Sequence, residues 1–249
     1  EKAKKEKEAK KTEVPKEEKT EVEEISQIRR TIATKMVESK FTAPHAVSFE
    51  EVEISKLVQL REEKKKALAE KDIKLSYTAF IIKAVTIALK NHKKLNSRLD
   101  LEKNRIIYNY YYNIGIATDT PAGLMVPVIK DTDKKSIIEI SQEINDLVKR
   151  AKERKLNIDE LRGSTFSITN YGSIAGIYGV PIINYPDVAI LGIGRILDKP
   201  VVKDGAVVPG KVLPLSISID HRIVDGADAA RFIKEIMELL ADPMIMLMM

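Results

Sequence analysis

The stretch VLPLSISIDHRIVDGADAARF, residues 212–232, decides the fold. Apolar and polar residues alternate over residues 212–219, which predicts a β-strand with one buried face and a second face that is wet or meets another subunit. The strand pattern ends at Asp220, and an amphipathic helix begins just past Gly226, with apolar positions at Phe232, Ile233, Ile236, Leu239 and Leu240. A short strand-to-helix connection therefore lies between them.

His221 and Asp225 lie in this connection, where side chains can project into a cleft from a rigid base. Histidine is the side chain whose unperturbed pKa suits the uptake and return of a proton near neutral pH. The same two residues also fit a structural explanation, with His221 as a hydrogen-bonded loop residue and Asp225 as a helix N-cap. The spacing alone favours the structural explanation.

The rest of the chain adds both helices and strands. Ser26 and Ser76 can each cap an apolar-periodic helix, and another helix is predicted from Ser55 to Glu70. The helix that follows Ser76 is expected to be deeply buried. A fourth amphipathic helix is predicted around residues 137–148, and Lys203-Asp204-Gly205 is typical of a hairpin turn. Strands are predicted at 47–54, with an irregularity, and at 108–117, 126–129, 164–169 and 188–196. The predicted class is mixed α/β.

Composition narrows the class of protein. The 249 residues contain no Cys, which excludes a disulfide framework and a cysteine nucleophile. The net charge is +5, but the basic residues are interleaved with acidic ones and only 5% of residues are aromatic, so we expect no nucleic-acid partner. No segment has the apolar length of a membrane helix. Residues 1–23 are too poor in apolar groups to order, and we expect a linker that joins further modules upstream to a domain at 24–249.

Several segments together resemble one family. DHRIVDGADAARF at 220–232 is similar to the active-site segment of the dihydrolipoyl acyltransferases, the core subunits of 2-oxo acid dehydrogenase complexes. SQIRRTIATKMVESKFTAPH, KLSYTAF, DTPAGLMVPVIKD, STFSITNYGSIAG and YPDVAILGIGRI follow the order of that family. The His-x-x-x-Asp-Gly piece alone also resembles chloramphenicol acetyltransferases, so it indicates the superfamily, and the ordered set indicates the family.

The resemblance implies a fold and an activity. The expected fold is the chloramphenicol-acetyltransferase-like two-layer sandwich of a mixed β-sheet with helices, assembled as a trimer. Coenzyme A and a lipoyl group, carried on a domain outside this chain, would enter a channel at each subunit interface from opposite sides. The segments resemble the acetyltransferases of pyruvate dehydrogenase complexes more than the succinyl or branched-chain enzymes. The expected reaction moves an acetyl group between dihydrolipoamide and coenzyme A, and it needs no metal.

The resemblance also assigns roles to residues. His221 would be the general base, Thr169 of a neighbouring subunit would donate a hydrogen bond to the oxyanion, and Asp225 would form a supporting ion pair with Arg29. The coenzyme A contacts would come from Arg61, Ser76, Asp119, Thr169 and Asn170. Each has a structural alternative: Thr169 as an ordinary strand residue, Arg29 and Arg61 as helix surface, Ser76 as an N-cap, and Asp119 and Asn170 as turn residues.

Assembly and partners follow from the same resemblance. Trimers are expected to build a 24-mer or 60-mer core that works with 2-oxo acid decarboxylase and dihydrolipoamide dehydrogenase subunits, in the cytoplasm in preference to the mitochondrial matrix. The apolar tail at 243–249 is expected either to dock into a neighbouring trimer or to fold back on its own domain. A stand-alone acetyltransferase for small molecules and a non-catalytic structural subunit remain as alternative functions.

Overall fold

The computed structural model describes residues 20–248 of the chain. The predicted linker lies mostly outside the described residues, and its last four, residues 20–23, are exposed and have no regular structure. The α-helices are α1 (Gln27–Thr42), α2 (Ser55–Ala69), α3 (Tyr77–Asn91), α4 (Ile137–Lys152) and α5 (Gly226–Ala241). The strands are β1 (His45–Glu53), β2 (Ser97–Asp100), β3 (Arg105–Tyr108), β4 (Ile114–Ala117), β5 (Val128–Ile129), β6 (Phe166–Asn170), β7 (Ala189–Ile193), β8 (Leu197–Lys203) and β9 (Ala206–Asp220).

Seven of these strands form one mixed sheet. The order is β1-β9-β7-β6-β4-β5, and β8 pairs with the first half of β9. β4, β6 and β7 run parallel to one another, whereas the other neighbours are antiparallel. β2 and β3 form a separate hairpin. The predicted mixed α/β class is confirmed.

Helices cover one face of the sheet and enclose the core. Ten of the fifteen residues of α3 are buried, as predicted, because α3 lies between α4 and α5 and contributes Phe80, Ile81 and Ile82 to the same core as the sheet. Every second residue of β9 from Leu213 to Ile219 faces this layer. Burial of one such aliphatic side chain stabilises the fold by about 1.5–3 kcal/mol, so the helix layer fixes the register of the sheet.

The other face of β9 is covered by its own chain, whereas the prediction was a face that is wet or meets another subunit. Ser216, Ser218 and Asp220 are all buried within the single chain. The connection between β6 and β7 crosses this face, and the Tyr171 hydroxyl lies 2.8 Å from the Ser216 hydroxyl. The Tyr171 ring rests on Gly192, where a Cβ would come within 2.8 Å of it. A polar strand face is therefore covered by a loop that the strand pattern does not reveal.

Two further strand predictions were wrong in detail. Residues 108–117 do not form one strand, since β3 ends at Tyr108 and β4 begins at Ile114. The chain turns between them because the buried Asn96 amide donates to the carbonyls of Asn109, at 2.8 Å, and Tyr111, at 3.1 Å. The irregularity expected in β1 is absent, since its nine residues pair without interruption with β9.

The hairpin between β8 and β9 is confirmed. Asp204 and Gly205 both have positive φ, 52° and 80°, which is the backbone of a type I′ turn and matches the twist of the flanking strands.

The tail after α5 folds back in part on its own domain. Met246 is buried against the domain's own core, whereas Met244 and Met248 are exposed. None of the helices at residues 20–248 is both long and apolar enough to cross a bilayer.

Candidate active site

His221 is the first residue after β9 and is held by its backbone. Its N–H donates to the Pro44 carbonyl at 3.0 Å, next to the pair that Asp220 forms with His45 at the start of β1. The imidazole is exposed and has no hydrogen-bond partner among residues 20–248. The backbone therefore holds His221 in place, and both nitrogens of its ring are accessible to a substrate.

An ion pair that the sequence analysis missed anchors this loop. The Arg222 guanidinium donates to both oxygens of the Asp220 carboxylate, from Nε at 2.9 and 3.1 Å and from Nη2 at 2.6 Å, and the Arg222 backbone N–H donates to the same carboxylate at 3.1 Å. The Asp220 side chain is only 2% exposed. Because the two residues flank His221, the ion pair sets the direction in which the loop leaves the sheet. The sequence does carry a signal for this ion pair: an aspartate ends a buried strand, and an arginine follows two positions later.

The predicted ion pair between Arg29 and Asp225 does not form within the subunit that the structure describes. Asp225 occupies the N-cap position of α5 without capping it, and its nearest cation is the Lys94 ammonium at 3.9 Å. Arg29 lies in the first turn of α1, whereas the end of α1 near Pro44 approaches the His221 loop. Thirteen residues of helix, about 20 Å, separate the two ends.

Thr169 and Asn170 end β6 and face opposite sides of the sheet. Thr169 lines a cavity of about 450 Å³ on the loop-covered face, which we call the Thr169 cavity; its other walls include Met36, Leu124, Val126, Tyr171 and Ile182. The Thr169 hydroxyl has no hydrogen-bond partner in the described part of the chain. Asn170 lines a different cavity on the helix-covered face. Thr169 and Asn170 therefore line two separate cavities.

His221 and Thr169 of the same chain are far apart. Thr169 pairs with Gly192 on β7, and Gly192 pairs with Ser216 on β9. His221 lies five residues beyond Ser216, which is roughly 16 Å along the strands and roughly 10 Å across two strand spacings. A hydrogen-bonded arrangement of a base and an oxyanion donor around one reacting atom cannot span that distance.

The second cavity, of about 650 Å³, gathers some of the predicted coenzyme A contacts; we call it the Asp119 cavity. Asp119 and Asn170 both line it, together with Thr78, Thr120, Lys152 and Ser173. Ser76 stands two residues before Thr78, where it caps α3 by accepting from the Ala79 N–H at 3.3 Å. The structure thus brings Asp119 and Asn170 into one compartment, with Ser76 beside it and Thr169 on the opposite face of the sheet.

Arg61 is not among the lining residues of the Asp119 cavity. Its guanidinium lies over the Tyr77 ring at 4.4 Å, donates to the Leu75 carbonyl at 3.1 Å and forms an ion pair with Glu62. The side chain is 15% exposed. Arg61 therefore supports the start of α3, next to the cavity, in the free chain.

A buried carboxyl lies behind the Thr169 cavity and was not predicted. Asp187 accepts hydrogen bonds from the hydroxyls of Ser167, at 2.8 Å, and Ser164, at 3.0 Å, and burial raises its pKa to about 7. Asn184 donates to the same two serines, and both Ser167 and Asn184 line the Thr169 cavity. The cluster fixes the β6–β7 connection against β6, two residues before Thr169.

Residues 17–248 match the family described as 2-oxoacid dehydrogenases acyltransferase (catalytic domain). Over 226 residues, 91% of the chain, it is 48% identical to the dihydrolipoyllysine-residue acetyltransferase component of the pyruvate dehydrogenase complex of Bacillus subtilis and 46% identical to that of Staphylococcus aureus. The chain spans about half the length of these relatives, 51% and 53%.

Solved structures of acyltransferase cores also match the chain. The chain is similar to Azotobacter vinelandii dihydrolipoamide acetyltransferase, studied for the roles of a serine, a histidine and an asparagine in catalysis, with a TM-score of 0.88 at 38% identity over 91% of this chain and 94% of that one. The cubic core of a pyruvate dehydrogenase multienzyme complex matches with a TM-score of 0.88 at 37% identity, with the same coverage. A chloramphenicol acetyltransferase, 16% identical over 83% of this chain and 94% of that one, has a TM-score of 0.53 and shares the fold. The predicted fold class is confirmed.

Proposed function

This chain belongs to the family of 2-oxoacid dehydrogenase acyltransferase catalytic domains, as the sequence motifs predicted, and from that premise we propose that it transfers an acetyl group between dihydrolipoamide and coenzyme A. The Bacillus subtilis and Staphylococcus aureus relatives carry the name of the acetyltransferase component of pyruvate dehydrogenase complexes. The lipoyl group would arrive on a domain outside this chain.

The observation that carries the proposal is the spacing of three residues. In the Azotobacter vinelandii enzyme a serine, a histidine and an asparagine were studied as catalytic residues. Thr169 and Asp225 stand at the same sequence separations from His221 as that serine and that asparagine stand from that histidine. Threonine keeps the hydroxyl of serine, and aspartate keeps a short polar side chain with a carbonyl-type oxygen. The three positions therefore support the predicted roles of Thr169, His221 and Asp225.

His221 would act first, as a general base. Neutral imidazole removes the proton from the thiol of coenzyme A, and the thiolate attacks the thioester carbonyl of acetyl-dihydrolipoamide. The exposed, unpartnered ring and the rigid backbone position at the end of β9 suit this task. The Asp220–Arg222 ion pair would keep the loop in place while the ring gains and loses a proton.

Thr169 would act on the intermediate. The attack places a negative charge on the former carbonyl oxygen, and a hydroxyl that points at this oxygen stabilises it more than it stabilises the substrate. The carbon–sulfur bond to dihydrolipoamide then breaks, and imidazolium returns its proton to the departing sulfur. Products are acetyl-coenzyme A and dihydrolipoamide, with His221 neutral again.

The two cavities suit the two substrates. The Asp119 cavity, with its hydroxyl, amide and carboxylate groups, suits the polar pantetheine arm of coenzyme A, and we keep Asp119, Asn170 and Ser76 as proposed contacts. The Thr169 cavity, which is mostly apolar, suits the dihydrolipoyl arm and its acetyl group. Ala117 lines both cavities, so they adjoin at the end of β4, beside Thr169.

The separation of His221 from Thr169 supports a site shared between subunits. In a trimer, His221 of one subunit would face Thr169 of the next, and Arg29 and Asp225 are proposed to meet across the same boundary. We further propose that trimers assemble into a 24-mer or 60-mer core; one similar structure is a cubic core. Decarboxylase and dihydrolipoamide dehydrogenase subunits are the proposed partners. The bacterial origin of the relatives favours the cytoplasm.

Acetyl transfer from acetyl-coenzyme A to free dihydrolipoamide tests the function. The wild-type chain is expected to catalyse it, and His221→Ala is expected to lose a factor of about 10² or more in kcat, since a general base contributes about that much. His45→Gln is the matched control, because the hydrogen bonds of the His45 ring within residues 20–248 are with the Ala43 carbonyl and the Ile183 N–H. Equal kcat for wild type and His221→Ala would refute the mechanism.

A further inference from the structure

The rim of the Asp119 cavity carries a cation that the reaction above does not use. Lys152 lies in the last turn of α4, is exposed and lines the cavity. Two cations close to it in sequence are neutralised: Arg150 by Glu160 at 2.6 Å and Lys155 by Glu153 at 2.8 Å. Lys152 itself has neither an ion pair nor a hydrogen bond with any of residues 20–248. Its ammonium is therefore available to an anion from outside the chain.

The surroundings of Lys152 indicate which kind of anion would bind. Thr78, Thr120, Ser173 and Asn170 line the cavity, over an apolar floor that includes Ile144 and Ile168. The hydroxyls of Thr120 and Ser173 donate to the backbone carbonyls of Gly123, at 2.6 Å, and Asn170, at 3.0 Å, and keep lone pairs that can accept from a ligand. Hydroxyl and amide groups suit a flexible chain of amides, and a single ammonium at the rim suits an anionic end that stays near water. A long polar ligand with a phosphate at its outer end fits this distribution.

The alternative cation, Arg61, is less available. Its guanidinium is stacked on Tyr77, donates to the Leu75 carbonyl and is paired with Glu62, so a phosphate would have to compete with contacts that already exist. Lys152 has no such competitor among residues 20–248. An unpaired lysine can follow a phosphate with three rotatable donors and little rearrangement.

We propose that Lys152 binds a phosphate of coenzyme A and so makes the enzyme select coenzyme A over acyl carriers that lack phosphates. This inference rests on the proposed function, because it takes coenzyme A as the ligand of the Asp119 cavity. Asp119 then serves as an acceptor for the hydroxyl and N–H groups of the pantetheine arm, and Lys152 neutralises the charge at the other end.

The test compares two acetyl donors and three variants. KM and kcat are measured with acetyl-coenzyme A and with acetylpantetheine, which has the same thioester and no phosphate, for wild type, Lys152→Met, Lys152→Arg and Lys149→Met. Lys149 is the matched control, because it is also an exposed lysine of the last turn of α4 but is not among the residues of the cavity. A common low ionic strength is used, since salt screens an exposed charge.

The expected result is a selective loss of coenzyme A affinity. Lys152→Met should raise KM for acetyl-coenzyme A about tenfold, which corresponds to about 1.4 kcal/mol, with kcat changed less than about twofold. KM for acetylpantetheine should stay at the wild-type value in every variant, and Lys152→Arg should resemble wild type. An unchanged KM for acetyl-coenzyme A in Lys152→Met would overturn the proposal, and so would an equal rise with acetylpantetheine, which would indicate a distorted cavity.

Binding separates this inference from the proposed function. If the wild-type chain transfers no acetyl group, the proposed function fails, and titration calorimetry with coenzyme A then tests Lys152 by itself. A dissociation constant raised about tenfold in Lys152→Met and unchanged in Lys149→Met supports the contact. Equal dissociation constants in wild type and Lys152→Met overturn it.

Discussion

Thr169 and Asn170 are consecutive residues, and they line cavities on opposite faces of the central sheet. The alternation of side chains along a strand makes this unavoidable once β6 reaches as far as Asn170. The end of one strand therefore adjoins both compartments, and a hydroxyl at this position can reach a group that passes between them.

Thr169→Val is expected to lower kcat about 10²-fold, because it removes a donor that acts on the oxyanion of the intermediate. The dissociation constant for coenzyme A should change less than about twofold, since the hydroxyl faces away from the Asp119 cavity. Thr169→Ser keeps the hydroxyl and should retain most of the activity. Steady-state kinetics and calorimetry check both quantities, and a loss of affinity with unchanged kcat would make Thr169 a binding residue instead.

Asp187→Asn should change how stability depends on pH. The pKa of Asp187 rises from 3.8 to about 7 because the carboxyl is buried, so between these pH values the folded protein keeps a proton that the unfolded chain has lost. The free energy of unfolding of wild type then falls as pH rises through this window, by up to roughly 4 kcal/mol relative to the variant.

Urea unfolding of wild type and Asp187→Asn at several pH values between 4 and 8 measures this difference. Asp198→Asn, which changes a carboxylate that is 77% exposed, is the control and should follow wild type. A constant difference between wild type and Asp187→Asn across the pH range would show that Asp187 does not carry the extra proton.

Arg222→Met should destabilise the protein by roughly 3 kcal/mol, because it leaves the buried Asp220 carboxylate without its cation. Because the same loop carries His221, kcat should fall as well. Arg231→Met removes an ion pair in which the arginine is 62% exposed, and it should change stability by less than about 1 kcal/mol. Thermal unfolding compares the two variants, and a similar small effect for both would mean that Asp220 finds another partner.

Met248→Asp tests the role of the tail. Met248 is 79% exposed, whereas Met246 is buried against its own domain. If Met248 docks into a neighbouring trimer, a carboxylate there should break the particles into trimers, because an unpaired charge is costly to bury in an apolar pocket. Sedimentation measures the particle mass, with Met244→Asp as a comparison at the other exposed methionine of the tail. Intact large particles in the Met248 variant would contradict docking of this residue.

Local patterns predicted much of the fold. The caps at Ser26 and Ser76 locate α1 and α3, and the apolar periodicity of residues 137–148 locates α4, because these signals act within one or two helical turns. The break between β3 and β4 was not predictable in this way, since it depends on Asn96, thirteen residues away from Asn109. Likewise, the covering of Ser216 and Ser218 depends on a loop that comes from a distant part of the chain.

The site was only partly accessible to sequence reasoning. The spacing of His221 and Asp225 by itself favours a loop histidine and a helix N-cap, and only the surrounding motifs favoured catalysis. Asp187 carries no local signal, because a single aspartate after a proline is ordinary in a loop; its raised pKa comes from burial that the fold creates. The separation of His221 from Thr169 required the strand register.

Mixed trimers test the central claim, that one active site takes His221 from one subunit and Thr169 from the next. His221→Ala and Thr169→Val chains are unfolded together in equal amounts and refolded, and acetyl transfer is measured against wild type treated in the same way. Random assembly around a cyclic trimer gives about a quarter of the sites an intact His221 and an intact Thr169. We predict that the mixture recovers about a quarter of wild-type activity, and activity no higher than the mean of the two separate variants would contradict a shared site.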